Sequence, residues 1–125
     1  MLALSVLREP NYSELLVILP AKAVFDWHDH PKMLGFTKCL MGKIKIEAIE
    51  VTLLRRKSET SYFYPKNKVK TEIIYPNGNN VSMIFPDSYN IHRIEALEQS
   101  CFMDLLLPDY PDNQCNTYKT MGETE

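Results

Sequence analysis

Gly42-Lys43-Ile44-Lys45-Ile46-Glu47-Ala48 alternates polar and apolar residues one by one after its glycine. That is the period of a strand with one face buried and the other wet. The alternation slips at Ala48-Ile49, where a bulge is expected. Outward from this run the same character repeats. Leu4 to Leu7 is a short apolar run ending in the turn signature Glu9-Pro10-Asn11. Glu14 to Leu19 is rich in Leu, Val and Ile and stops at Pro20, which reads as a strand buried on both faces. Met33 to Met41, Val69 to Tyr75, Val81 to Phe85, His92 to Leu97 and Cys101 to Leu107 read as further strands. Pro76-Asn77-Gly78-Asn79-Asn80 and Pro86-Asp87-Ser88-Tyr89-Asn90 mark turns between them. Arg55 to Thr60 reads as a charged loop, and Tyr62-Phe63-Tyr64-Pro65 as an aromatic cover over one end of the core. About eight short strands with no long helical period predict an all-β sandwich or barrel.

A chain of 125 residues is long enough for one domain with a core and short for two. With 45% hydrophobic and 24% charged residues it has the composition of an ordinary globular protein rather than a disordered one. The net charge of -2 gives no reason to expect nucleic acid or an anionic membrane as partner. Cys39, Cys101 and Cys115 are odd in number, widely spaced and without a C-x-x-C pair, so neither a disulfide framework nor a thiolate zinc site is suggested. A reduced compartment follows, cytoplasmic or nuclear. The apolar start at Met1 to Val6 meets Arg8-Glu9-Pro10 too soon for a signal peptide. No apolar run approaches the roughly 20 residues that cross a bilayer. A soluble monomer is the simplest expectation, with Glu123-Thr124-Glu125 frayed at its end.

Upstream of the alternating strand lies Trp27-His28-Asp29-His30-Pro31-Lys32-Met33, which holds two of the chain's three histidines. In an extended segment His28 and His30 share a face and Asp29 takes the other. Two imidazoles on one face are half of a metal site. They also suit two polar residues at a strand edge. His92, the third histidine, follows a Pro-containing turn at the start of another strand.

This order of H-x-H, glycine turn, alternating strand and distant histidine resembles the cupin superfamily. Its fold is a small jelly-roll-like double-stranded β-helix barrel. Many cupins add a glutamate after the H-x-H pair, but Leu34-Gly35 stands in that place here, while Gly42 matches the motif's closing glycine. His28-Asp29-His30-Pro31-Lys32-Met33, Asn90-Ile91-His92 and Asp104-Leu105-Leu106-Leu107-Pro108-Asp109-Tyr110 narrow the match. Together they are similar to the cysteamine dioxygenase and plant cysteine oxidase family, from about Leu4 to Tyr118. The barrel is expected over residues 1–118 and a tail over 119–125. The resemblance implies His28, His30 and His92 as ligands of Fe(II), a metal that neutral imidazoles suit. It implies Asp104 as a carboxylate that orients a substrate amine, and Tyr110 as a hydroxyl near substrate or oxygen. Cys115 and Trp27 are expected at the substrate pocket. Read alone, Asp104 between Met103 and Leu105 faces solvent, Tyr110 is a loop anchor, Cys115 an inert thiol, and Phe25 and Trp27 serve core or pocket wall.

The implied function is an Fe(II)-dependent thiol dioxygenase. It would place both atoms of O2 on the sulfur of cysteamine or of a protein's N-terminal cysteine, the second reaction serving oxygen sensing. No organic cofactor is required. Three departures from the family bear on substrate choice and turnover. The chain starts where the barrel starts, without the family's usual N-terminal extension. Pro108-Asp109-Tyr110 replaces Pro-Pro-Tyr. Thr117 stands where some relatives carry a tyrosine, which removes the partner for a cysteine–tyrosine crosslink. These departures define the alternative, a catalytically weak or inactive metal-binding cupin acting as a binding or regulatory module. A metal-dependent isomerase or sugar-binding cupin would keep the barrel but leave Asp104 and Tyr110 unexplained.

Overall fold

The computed structural model describes residues 2–9, 12–50, 55–57, 60–63, 69–86, 88–107 and 117–120, with the backbone alone described for 2–9, 55–57, 60–63 and 117–120. Among these residues the chain forms twelve strands and no helix. In order they are β1 (Leu2–Glu9), β2 (Tyr12–Leu19), β3 (Val24–His28), β4 (Leu34–Met41), β5 (Ile44–Ile49) and β6 (Arg55–Lys57). Then come β7 (Thr60–Phe63), β8 (Lys70–Ile74), β9 (Val81–Ile84), β10 (Ile91–Ala96), β11 (Ser100–Leu107) and β12 (Thr117–Thr120).

They make two sheets. One has five strands in the order β1-β2-β11-β4-β9, the other seven in the order β6-β7-β12-β3-β10-β5-β8. Every described pairing is antiparallel except β12 with β7, which is parallel. From β2 to β5 and from β8 to β12 consecutive strands fall in opposite sheets, so there the chain weaves between the layers, and the inward residues of both close on one core. That core is Val17, Leu19, Cys39, Ile44, Ile46, Ile74, Ile94, Ala96 and Phe102.

β5 bears out the alternation that predicted it: Ile44, Ile46 and Ala48 are buried, while Lys45 and Glu47 are partly exposed. The slip at its end is not a bulge. The pairing of β5 with β10 runs unbroken from Ile44↔Ala96 to Ile49↔Ile91. Ile49 stays on the outer face and is buried there against Ile91 and Trp27. β2 alternates too, rather than being buried on both faces. Ser13, Val17 and Leu19 are buried, and Glu14, Leu16 and Ile18 are only half-buried, because an antiparallel sheet needs only one face on the core. The stretch Arg55 to Thr60, expected as a loop, contains β6 and the start of β7, a short hairpin at the sheet edge. Charged edge strands lack an apolar period and so read as loops. β12 likewise carries no strand signal in its sequence. Of the expected aromatic cover Tyr62-Phe63-Tyr64-Pro65, Tyr62 and Phe63 belong to β7, and of the expected turn Glu9-Pro10-Asn11, Glu9 ends β1; the rest of both and the residues 123–125 lie outside the described residues.

Gly42 links β4 to β5 at φ +84°, a conformation that L side chains avoid. A Cβ there would lie 2.3 Å from the Gln99 carbonyl and 2.4 Å from Ser100 Oγ. Ser100 Oγ in turn accepts the Lys43 N–H at 3.0 Å.

Candidate metal centre

The three histidines meet because of an irregularity in β3. Between the pairs His92↔His28 and Ile94↔Phe25, β10 advances two residues and β3 three. β3 therefore carries one extra residue at Asp26-Trp27, a bulge that changes which face the following side chain takes. Phe25 packs on the core and His28 is buried on the same side, with the two rings stacked at 4.0 Å and 22°. β3 ends at His28, so His30 does not reach the site by strand alternation. It enters through the turn His30-Pro31-Lys32-Met33, in which the Met33 N–H donates to the His30 carbonyl at 3.0 Å and Lys32 sits at φ +62°. Proline followed by a positive φ is the pattern of a type II turn. Asp29, expected on the opposite face, is buried here as well.

His28, His30 and His92 each offer a ring nitrogen, and the three nitrogens lie within 4.8 Å of one another. The rings stand at steep angles, 88° for His28 with His30, 85° for His30 with His92 and 58° for His28 with His92. All three are buried. His28 Nδ1 donates to the Asp26 carbonyl at 2.6 Å. A carbonyl only accepts, so the proton is on Nδ1 and the Nε2 lone pair faces the cluster. That Nε2 lies 3.0 Å from His92 Nε2.

This arrangement fits a metal ion on two counts. Imidazole nitrogens at right angles, each about 2.1 Å from one ion, would stand about 3.0 Å apart, the separation found between His28 and His92. Burial keeps all three rings neutral, the form that binds metal. Desolvation lowers His28 to about 4 against its hydrogen bond to the Asp26 carbonyl and the charges of Asp29 and Asp26. It lowers His30 to about 3, aided by His28, and holds His92 well below its usual value, aided by His28 and His30. No carboxylate or thiol joins the cluster among the described residues. Gly35, one of the two residues standing where the resemblance to cupins expected a glutamate, packs so closely that a Cβ would meet Ile84 Cγ1 at 2.7 Å.

Asp104 does not face solvent. On β11 the buried residues are Ser100, Phe102, Asp104 and Leu106, so Met103 and Leu105 are the outer face. Asp104 stands two residues beyond Phe102 of the core, as His92 stands two residues beyond Ile94, each on its own sheet. Its cross-strand partner is Thr37, whose Oγ1 donates to Asp104 Oδ1 at 2.5 Å. Burial raises the Asp104 carboxyl to about 6, partly offset by that hydrogen bond. Trp27 is not on the side of the histidines. It packs against Ile49 and Ile91 on the outer face of the seven-stranded sheet, where the bulge in β3 leaves it. Tyr110 and Cys115 lie outside the described residues. Cys39 and Cys101 are free, and burial raises both thiols.

One residue at the site went without a role in the sequence reading. Asn90 is buried and takes the His30 N–H on its Oδ1 at 2.7 Å. Its Nδ2 faces three carbonyls, Phe85 at 2.9 Å, His30 at 3.0 Å and Met33 at 3.3 Å. Its place two residues before His92 was the available signal, but an asparagine after a turn is ordinarily read as turn chemistry.

A probable 2-aminoethanethiol dioxygenase of Dictyostelium discoideum is 25% identical over 117 residues, covering 87% of this chain and 51% of that protein. Plant cysteine oxidase 1 of Arabidopsis thaliana is 31% identical over 113 residues, covering 86% of this chain and 37% of that protein. The chain thus spans about half or less of the length of these relatives. Among solved structures, a cupin superfamily protein of Desulfitobacterium hafniense superposes with a TM-score of 0.57 at 13% identity, over 86% of this chain and 77% of that one. A Lactobacillus farciminis oxalate decarboxylase does so at 0.62 and 14% identity, over 90% of this chain and 30% of that one. At such identities the likeness establishes the cupin fold alone. The family model PCO_ADO matches residues 4–125, and with the fold and the histidine cluster in agreement, the chain belongs to this family of cysteamine dioxygenases and plant cysteine oxidases.

Proposed function

We propose that this chain is an Fe(II)-dependent thiol dioxygenase that converts a thiol and O2 to the sulfinic acid. The observation that carries the reading is the cluster of three neutral, buried imidazoles with no carboxylate among the described residues. A set of three nitrogen ligands suits Fe(II) and leaves coordination positions for other molecules. Bound there, Fe(II) would supply the positive charge that favours thiolate over thiol and the redox chemistry that lets O2 add to sulfur.

The protein's own groups do the rest. The Asp26 carbonyl holds His28 in the tautomer whose Nε2 is free to bind. The stacked ring of Phe25 shields one face of His28 from water. Asp104 presents a buried carboxylate, with Thr37 on one oxygen, and the second oxygen is left for a substrate ammonium. An ammonium arriving beside it would lower its raised pKa and hold it ionised. The substrate class is therefore an aminothiol, either cysteamine or a peptide with an N-terminal cysteine. Both place a primary amine two carbons from the sulfur. The printed names of the relatives, 2-aminoethanethiol dioxygenase and cysteine oxidase, point to the same chemistry. Oxidation of a protein's N-terminal cysteine would make the reaction a reporter of oxygen.

The test is to purify the chain anaerobically, load it with Fe(II), and follow O2 consumption with cysteamine and with a cysteine-initiated peptide. A product heavier than the thiol by two oxygen atoms, made only by the iron-loaded protein, is the expected result. Iron-loaded protein that leaves both thiols unchanged overturns the reading in favour of a binding role.

A further inference from the structure

Among the buried polar side chains that no step above uses, Asn90 has the most complete set of partners. Its amide orientation is set by those partners. Oδ1 must face the His30 N–H, because only an oxygen accepts it, and Nδ2 must face the carbonyls of Phe85, His30 and Met33. One side chain thereby ties three segments together: the turn that delivers His30, the end of β9, and the start of the strand that carries His92. Two of these segments hold a residue in the left-handed region, Lys32 at φ +62° in the His30 turn and Tyr89 at φ +53° immediately before Asn90. Neither is glycine, so each conformation persists only where its surroundings hold it. Asn90 supplies such a hold, since it grips both ends of the His30 turn through the His30 and Met33 carbonyls.

We propose that Asn90 is a positioning residue of the metal centre, fixing the backbone of His30 relative to His92 so that the three imidazoles are arranged before any ion arrives. The inference rests on the metal-centre reading. Asn90 touches neither metal nor substrate. It acts through His30, whose N–H and carbonyl it clamps, while His28 is set independently by the bulge and the Asp26 carbonyl.

The experiment titrates Co(II), a spectroscopic probe, into the metal-free full chain. Wild type, Asn90→Ala, His30→Ala and the double variant are compared, with visible absorption and thermal unfolding recorded for each. The expected result is that Asn90→Ala weakens Co(II) binding by about 10–100-fold, the range for a lost supporting partner, and changes the cobalt absorption bands. In the His30→Ala background, Asn90→Ala should change the residual affinity by no more than about 2-fold, because coupled residues are not additive. A purely structural role would weaken binding in both backgrounds. Where Asn90→Ala does not fold, Asn90→Ser, which keeps a hydroxyl near the His30 N–H, takes its place in the same cycle. Unchanged affinity in the Asn90 variant, or an equal loss with and without His30, overturns the inference. Wild-type protein that takes up no cobalt overturns the metal-centre reading, and this inference with it.

Discussion

At His28 the Asp26 carbonyl fixes the Nδ1 proton at 2.6 Å, and the remaining nitrogen points at His92 from 3.0 Å. Removing either ring leaves two imidazoles, so His28→Ala and His92→Ala should each lower Fe(II) affinity by more than the about 10–100-fold expected for a supporting residue, measured by anaerobic equilibrium titration. Asp104 makes a prediction in pH. Its carboxyl rises from 3.8 to about 6 on folding, so between those values the folded chain holds a proton that the unfolded chain has lost. Its contribution to stability is therefore full below pH 3.8 and is lost as pH rises through about 6. Relative to Asp104→Asn, the metal-free wild type should lose on the order of 3 kcal/mol between those limits, read from urea midpoints across pH. Parallel pH profiles for the two proteins would contradict it. The histidines act with the opposite sign. His28 and His30 fold with values of about 4 and 3 against a usual 6.5, so their contribution is present above pH 6.5 and fades on acidification. The three histidines were legible in the sequence as a metal set. The inward face of Asp104 was legible through the family resemblance and not from its own pattern, because both its neighbours are apolar and the register of β11 is decided by Phe102 in the core.

Among the elements, β5 was legible because its alternation is strict and one face is truly buried. The bulge in β3 was not, since nothing in Phe25-Asp26-Trp27-His28 encodes an extra residue; it exists because His92 and Ile94 of β10 pair across it. That bulge is also why Trp27 packs outside on Ile49 and Ile91 rather than beside His28. β6 escaped notice for a different reason: a short edge strand made of Arg55, Arg56 and Lys57 lacks an apolar period, and the neighbouring β7 was divided between that expected loop and the expected aromatic cover. Gly42, by contrast, was legible as a turn and proves to have no substitute. At φ +84° with backbone 2.3 Å from the position of a Cβ, Gly42→Ala should destabilise the chain by at least about 2 kcal/mol, from left-handed strain and displacement of the Gln99 carbonyl together. Chemical denaturation measures it. A loss below half that amount would mean the β4–β5 turn gives way more easily than its packing indicates.

The whole molecule divides the barrel between a dry apolar layer and a polar layer built on it. Phe102, Ile94 and Cys39 belong to the core, and two residues along the same strands stand Asp104, His92 and Thr37. The core therefore supports the site as a platform. Phe102→Ala should cost about 3–5 kcal/mol of stability through lost burial and the cavity left behind, and Asp104, two residues along the same strand, should lose part of its fixed position. Saturating metal should offset part of that cost, since a ligand at a hundred times its Kd adds about 2.7 kcal/mol to the folded state. Thermal unfolding with and without Co(II) checks both. The measurement that bears most directly on the function is oxygen-isotope labelling of the product. Iron-loaded protein given cysteamine or a cysteine-initiated peptide under isotopically labelled O2 should yield sulfinic acid carrying both labelled atoms, and the His28→Ala protein should yield none. Product that takes its oxygen from water, or equal yield from the His28 variant, would contradict the account.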